Sequence, residues 1–167
     1  LFEGGIRIPF IIKGPKIPKN KINNTPIIGY DLMPTFMKIA GYQKIPEDID
    51  GANILEVFEE NFKSLKRKSP GLVFHFPHYQ GKYEPQSAII KNSWKLIKYY
   101  NRMQPSLFNL DFDINEENNL FNSKPNLANE LINELENYLK NVKASFPTIN
   151  PSYDPNIKRN KNKKNKL

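Results

Sequence analysis

Leu127, Leu131, Leu135, Leu139 and Val142 recur at four- and three-residue steps, and Ala128 and Ile132 widen the stripe they make. Spacing of this kind lines apolar side chains along one side of a helix. Ser123 ahead of Lys124-Pro125 reads as the N-cap and early-turn proline that open it. A face so regular has to be covered, so the chain must supply a second layer. Four short upstream runs rich in β-branched and aromatic residues can form that layer: Leu72–Phe76, Ser87–Ile90, Trp94–Tyr100 and Leu107–Leu110. Lys91-Asn92-Ser93 is a hairpin turn between the middle two, and residues 101–106 turn the chain again. The expectation is a small antiparallel four-stranded sheet packed on a C-terminal helix.

The first 62 residues carry different signals. Phe2-Glu-Gly-Gly-Ile-Arg-Ile-Pro9 is a glycine-hinged approach to Phe10-Ile-Ile-Lys13, a continuous apolar run that reads as a strand buried on both faces. Gly14-Pro15 ends it, and a polar loop runs to Asn24. Asp31 to Gly41 reads as a helix: Asp31 caps the first turn, Pro34 sits within that turn, and Gly41 supplies a left-handed stop. Leu32, Phe36, Ile39 and Ala40 form its expected buried face. Asp50-Gly51 is a turn, and Ile54, Leu55 and Phe58 suggest a short second helix. Residues 63–71 are basic and break-rich, a connection between units, and 146–155 is Pro-rich and extended.

Composition narrows the function classes. With 38% hydrophobic residues in 167, one core of ordinary size can be built. There is no cysteine, which excludes disulfides, thiolate metal sites and a cysteine nucleophile within these residues. The formal net charge of +8 points to nucleic acid at first sight, but six of those charges are Lys158, Arg159, Lys161, Lys163, Lys164 and Lys166. A terminal basic run of this kind reads as a disordered, solvated extension (156–167), so nucleic acid is not the expected partner. No apolar run approaches the roughly 20 residues of a membrane-spanning helix. The chain opens on Leu1 without a targeting signal, and the expectation is the C-terminal part of a longer protein.

The only two histidines, His75 and His78, lie with Tyr79 in Leu72-Val-Phe-His-Phe-Pro-His-Tyr79. Alternation puts Phe74 and Phe76 on one face of the strand and Val73 and His75 on the other. Pro77 stops the ladder, which leaves His78 and Tyr79 in the following loop. Three readings stand: contact with a polar ligand at a cleft mouth, metal binding through a His-x-x-His lacking a third ligand, or structurally hydrogen-bonded histidines. Gly4-Gly5 has neither dinucleotide nor Walker spacing, and its job is conformational freedom of the backbone. Arg7 is either an anion contact or half of a structural ion pair. Trp94 is either a sugar-stacking ring or a core residue. Asp111-Phe-Asp113 starts like a calcium loop, but Glu116 and Asn122 stand where glycine and glutamate are required, so it reads as a turn and capping segment.

Several of these blocks together resemble the sulfatase family. Phe2–Pro9 is similar to its Tyr-Glu-Gly-Gly-x-Arg-x-Pro strand, and Asp31-Leu-Met-Pro-Thr35 with Ala40-Gly41 to its Asp-Leu-x-Pro-Thr helix ending in Ala-Gly. Asp50-Gly51, the blocks from Phe74 to Leu110, and Glu116–Leu120 resemble the rest of the C-terminal region of bacterial sulfatases, in order. The resemblance covers residues 1 to about 155. It implies an α/β fold: the end of an alkaline-phosphatase-like core (1–62), a connection (63–71) and a C-terminal subdomain (72–155).

The resemblance also implies hydrolysis of a sulfate ester, on a sulfated sugar or an aryl sulfate, in the periplasm or outside the cell. Calcium and a formylglycine made from Cys or Ser are its cofactors, and no ligand for either falls within this chain. Glu3, Gly4, Gly5 and Arg7 would lie near the sulfate pocket, and His75, His78 and Tyr79 would face substrate. Two other readings remain open: a noncatalytic binding module, and a phosphate- or phosphonate-ester hydrolase of the same superfold.

Overall fold

A computed structural model describes residues 1–15, 17–59, 61–80, 84–101, 104–148 and 151. The basic run 156–167 lies outside the described residues. The meander forms as expected: β1 (Leu72–Phe76), β2 (Gln86–Lys91), β3 (Trp94–Tyr99) and β4 (Ser106–Asn109) lie side by side in chain order. Each neighbour pair is antiparallel. Asn92 closes the β2–β3 hairpin with φ 53°, a left-handed conformation that asparagine tolerates.

The register sorts the side chains into two faces. Val73 pairs with Ile89, Ile89 with Leu96 and Leu96 with Leu107, so these four share one face. The long helix α3 (Pro125–Asn141) covers that face with Ala128, Leu131, Leu135 and Leu139. Lys91 to Glu134 at 2.5 Å and Lys98 to Glu136 pin its flank to β2 and β3. Trp94 packs beside this core with the Lys124 ammonium over its ring, which is the core role of the two expected. The other face presents Ala88, Ile97 and Phe108. Against it lie Leu1, the ring of Phe2 and the single helical turn α1 (Glu3–Ile6).

The first 62 residues depart from expectation. Phe10–Lys13 is not a buried strand: Ile11 is 91% exposed, and no described residue from 8 to 28 is in a helix or strand. Helix α2 (Leu32–Ile39) forms and is closed by Gly41 at φ 91°, as its punctuation implies. Its inward residues are Pro34 and Thr35, whereas Phe36, Ile39 and Ala40 are exposed. The cause is polar. Thr35 Oγ1 donates to Asp31 O and accepts from Ile54 N, so the face with hydrogen-bonding partners turns inward. Nothing among the described residues covers the apolar side.

Several punctuation marks do other work than expected. Asp31 does not cap α2 with its side chain: its buried carboxylate reaches back to Ile28 N, at the start of the 3₁₀ turn Gly29–Asp31, accepts from Ala52 N and grips Arg67 at 2.5 Å. The turn falls at Glu47 and Asp48 rather than at Asp50-Gly51. A Cβ on Gly51 would stand 2.2 Å from Tyr30 O, so glycine is needed there for close approach. The short second helix is a 3₁₀ segment, Ile54–Phe58, capped by the Asn53 side chain. Lys124, not Ser123, occupies the N-cap of α3, and Ser123 bonds back to Leu120 O. Gly4 and Gly5 sit in α1 with no neighbour near a would-be Cβ, so their local backbone does not demand glycine.

Candidate functional site

His75 lies on the helix-covered face, opposite Ser87 of β2. Its Nδ1 is 2.6 Å from Ser87 Oγ, and Ser87 Oγ is 2.8 Å from Tyr100 Oη. Its Nε2 is 2.8 Å from the carbonyl oxygen of Ser145, in the segment that follows α3. A carbonyl oxygen only accepts, so Nε2 donates to Ser145, and in the neutral tautomer of the ring Nδ1 accepts from Ser87. Ser87 then accepts from Tyr100. Burial raises the Tyr100 hydroxyl's pKa, outweighing the Ser87 hydrogen bond that acts to lower it, so its proton is firmly held. The rings of His75, Tyr100 and Phe146 meet edge to face, with centroids 5.6–6.0 Å apart. Both ring nitrogens of His75 are thus engaged within the fold.

His78 and Tyr79 stand just past the strand end. They line an open groove of about 460 Å³ whose opposite wall is Ser145, Phe146, Pro147 and Thr148. The His78 ring leans edge-on against Phe76, and Tyr79 is 65% exposed. Two aromatic rings, one imidazole, hydroxyls and no carboxylate line this groove. Such a lining can stack on a sugar ring and donate to an anionic substituent. Among the described residues no three His, Cys, Asp or Glu side chains converge as a metal site, so the His-x-x-His pair stands without a third ligand.

The other expected site residues lie on the opposite face of the sheet. Glu3 is buried, and its carboxylate meets Lys95 Nζ at 2.9 Å and Arg7 Nε at 2.5 Å. Lys95 has no exposed side chain and also meets Glu116 at 2.7 Å. The Glu3 backbone N–H donates to the second Glu116 oxygen. Burial works against a charged Glu3, but hydrogen bonds and charge from Lys95 and Arg7 prevail and hold its pKa below the ordinary range. Arg7 is therefore half of an ion pair, with 55% of its side chain still in solvent. Gly4 and Gly5 are exposed beside it.

The sequence reading missed Lys95, Glu116, Ser87, Tyr100, Ser145 and Phe146. One signal for Lys95 was present: strand alternation places it with Ile97, on the apolar face away from α3, where a lysine needs an acid. The expected capping role of the acidic segment is realised, since both oxygens of Asp113 accept backbone amides, from Glu117 and Asn118.

Residues 1–145 match the family N-sulphoglucosamine sulphohydrolase, C-terminal. The chain is similar to arylsulfatase K of Xenopus laevis, 29% identical over 78% of this chain and 25% of that protein. It is also similar to an N-acetylglucosamine-6-O-sulfatase of Bacteroides thetaiotaomicron, 29% identical over 72% of this chain and 22% of that one. In structure it is similar to BT4656, solved in complex with its substrate D-glucosamine-2-N,6-O-disulfate. The identity is 28% and the TM-score 0.56, over 70% of this chain and 24% of that one. The chain thus spans about a quarter of the length of the proteins it matches. The glycine-containing start, the four-stranded meander and the closing helix all fall inside one matched region, and the chain belongs to the sulfatases' N-sulphoglucosamine sulphohydrolase C-terminal family.

Proposed function

We propose that this chain is the C-terminal portion of a sulfuric ester hydrolase that acts on a sulfated sugar, and that it forms one wall of the substrate cleft. Residues 1–62 end the catalytic core, 63–71 connect, and 72–155 form the C-terminal subdomain. The observation that carries the reading is the groove between His78-Tyr79 and Ser145–Thr148, on a chain whose matched relatives include an N-acetylglucosamine-6-O-sulfatase. An exposed tyrosine ring suits the apolar face of a pyranose, and a neutral or protonated imidazole suits hydroxyl or sulfate oxygens.

The bond-breaking groups lie elsewhere in this reading. Sulfate ester hydrolysis needs a positioned nucleophile and neutralised charge. Calcium and formylglycine supply both in the sulfatases this chain resembles. The residues present do not fit either group: the sequence contains no Cys/Ser-x-Pro-x-Arg segment from which formylglycine is made in that family, and no ligand cluster forms among the described residues. Glu3, Gly4, Gly5 and Arg7 border the sulfate pocket without doing chemistry, and the half-exposed guanidinium of Arg7 is the group best placed to attract an anion. A periplasmic or secreted location belongs to the same proposal.

The test is substrate choice in the full-length enzyme. Tyr79→Ala and His78→Ala should each lower kcat/KM on sulfated oligosaccharides by about tenfold, roughly the worth of one aromatic or charge-assisted contact. Hydrolysis of a small aryl sulfate should be little changed. Equal losses on both substrates, or none on either, would remove the groove from the cleft.

A further inference from the structure

We infer that Tyr100, Ser87 and His75 form a positioning relay that holds the Ser145–Thr148 segment in place as the second wall of the groove. This inference rests on the reading of the groove as part of the substrate cleft. The segment follows α3, whose last helical residue is Asn141. Lys143, at φ 54°, turns the chain out of the helix, and Ala144 N returns a hydrogen bond to Leu139 O. Beyond that, the described attachments of the segment to the sheet are the His75 Nε2–Ser145 O hydrogen bond and the packing of Phe146 on His75 and Tyr100.

The direction of the hydrogen bonds makes the relay a unit. Tyr100 donates to Ser87, Ser87 donates to His75 Nδ1, and His75 Nε2 donates to Ser145. Each donation fixes the next group's free proton, so the ring is held in one tautomer and one orientation. Ser87 is fully buried between two partners and cannot reach a ligand. Its hydroxyl therefore acts only through His75. His75 in turn touches the wall and not the groove, which is lined by its neighbours Pro77, His78 and Tyr79 on one side and by Ser145–Thr148 on the other. The relay thus spans the base of the cleft and sets the distance between its walls.

Tyr100→Phe and Ser87→Ala in the full-length enzyme test this. Each removes one oxygen and no ring. Amide exchange at Ser145, Phe146 and Thr148 should quicken roughly fivefold, the worth of one net hydrogen bond, while exchange in α2 stays unchanged. KM for a sulfated oligosaccharide should rise by a similar factor, with kcat and the KM for a small aryl sulfate unchanged. Ser87→Thr, which keeps the hydroxyl, should restore both readouts; if either Ser87 variant fails to fold, Tyr100→Phe decides alone. Unchanged exchange at Ser145, Phe146 and Thr148 overturns the relay. So does a kcat loss shared by both substrates. Faster exchange with no movement of either KM supports the anchoring and instead sinks the assignment of the groove to the substrate cleft.

Discussion

Lys95 is fully buried between two carboxylates, and the three groups stabilise one another only as a set. Removing the cation leaves Glu116 without its cation and Glu3 with the half-exposed Arg7 alone, and breaking a buried pair in this way costs about 3–5 kcal/mol. Lys95→Met should therefore lower the urea midpoint of the chain far more than any exposed lysine substitution. Adding Glu3→Gln to it should recover part of the loss, because one of the two negative charges around the vacated site is gone. The same set fixes a pH response. A carboxyl whose folded-state pKa is lowered contributes stability above its unfolded value and loses it as pH falls through the folded one. Glu3 is such a group, against an ordinary value of 4.5. The chain should thus lose stability on acidification below that range, and Glu3→Gln should flatten the slope in urea melts. The sequence offered the ion pair of Arg7 as one of two readings, because an arginine near a core ordinarily finds an acid. It did not show Lys95 with Glu3, since partners 92 residues apart meet only after the sheet has formed. Glycine was misread for a related reason. The paired Gly4-Gly5 looked constrained and has open space, whereas Gly71, never singled out, would bring a Cβ within 2.4 Å of Ile90 O. Gly71→Ala should destabilise by roughly 1–3 kcal/mol through overpacking, and Gly4→Ala should leave the melting curve of this chain in place.

At the scale of elements, the meander and its helix were legible because their signals are local and their cover lies within the same chain. All four strands fall within one or two residues of the periodicity reading, and β1 matches it end to end. The leucine stripe of α3 meets the face made by Val73, Ile89, Leu96 and Leu107, as two-layer packing demands. Leu135→Ala, in the middle of that stripe and without exposed surface, should cost about 2–5 kcal/mol. Val142 continues the spacing on paper but follows the last helical residue and is 51% exposed. Val142→Ala should change stability by no more than about 0.5 kcal/mol. Paired thermal melts of the two variants check the assignment, and equal losses would mean that the helix packs in another register. The apolar runs before Phe62 were read by the same rules and misplaced. Periodicity says that Phe36 and Ile39 share a face, but it does not say that this chain contains what that face packs against.

The whole molecule is accordingly uneven. Two layers of core surround the sheet, while Ile8, Ile11 and Ile22 stand 79%, 91% and 93% exposed around a groove of about 1300 Å³ that reaches from α1 to Leu110. Contiguous apolar surface of that kind marks a buried contact in a larger body, and the chain spans only about a quarter of its relatives. The candidate site shares this unevenness. Its histidines could be picked out as a unique pair, but their different fates depend on a hydroxyl from β2 and a carbonyl beyond α3, which no local pattern announces. Two measurements on the 167-residue chain follow from the distribution of its contacts. Amide exchange should be slowest in β2, β3 and the buried side of α3, and close to that of an unfolded peptide across residues 8–24, because local opening requires little where few apolar contacts and ladder bonds are lost. A hydrophobic dye should bind this chain and not the full-length protein, and serine substitution of Phe10, Ile11 and Ile22 together should abolish that binding while the sheet amides stay protected. Slow exchange across 8–24 would show instead that this segment already has its cover, and the face presented by Ile8, Ile11 and Ile22 would then be no interface with the rest of a sulfatase core.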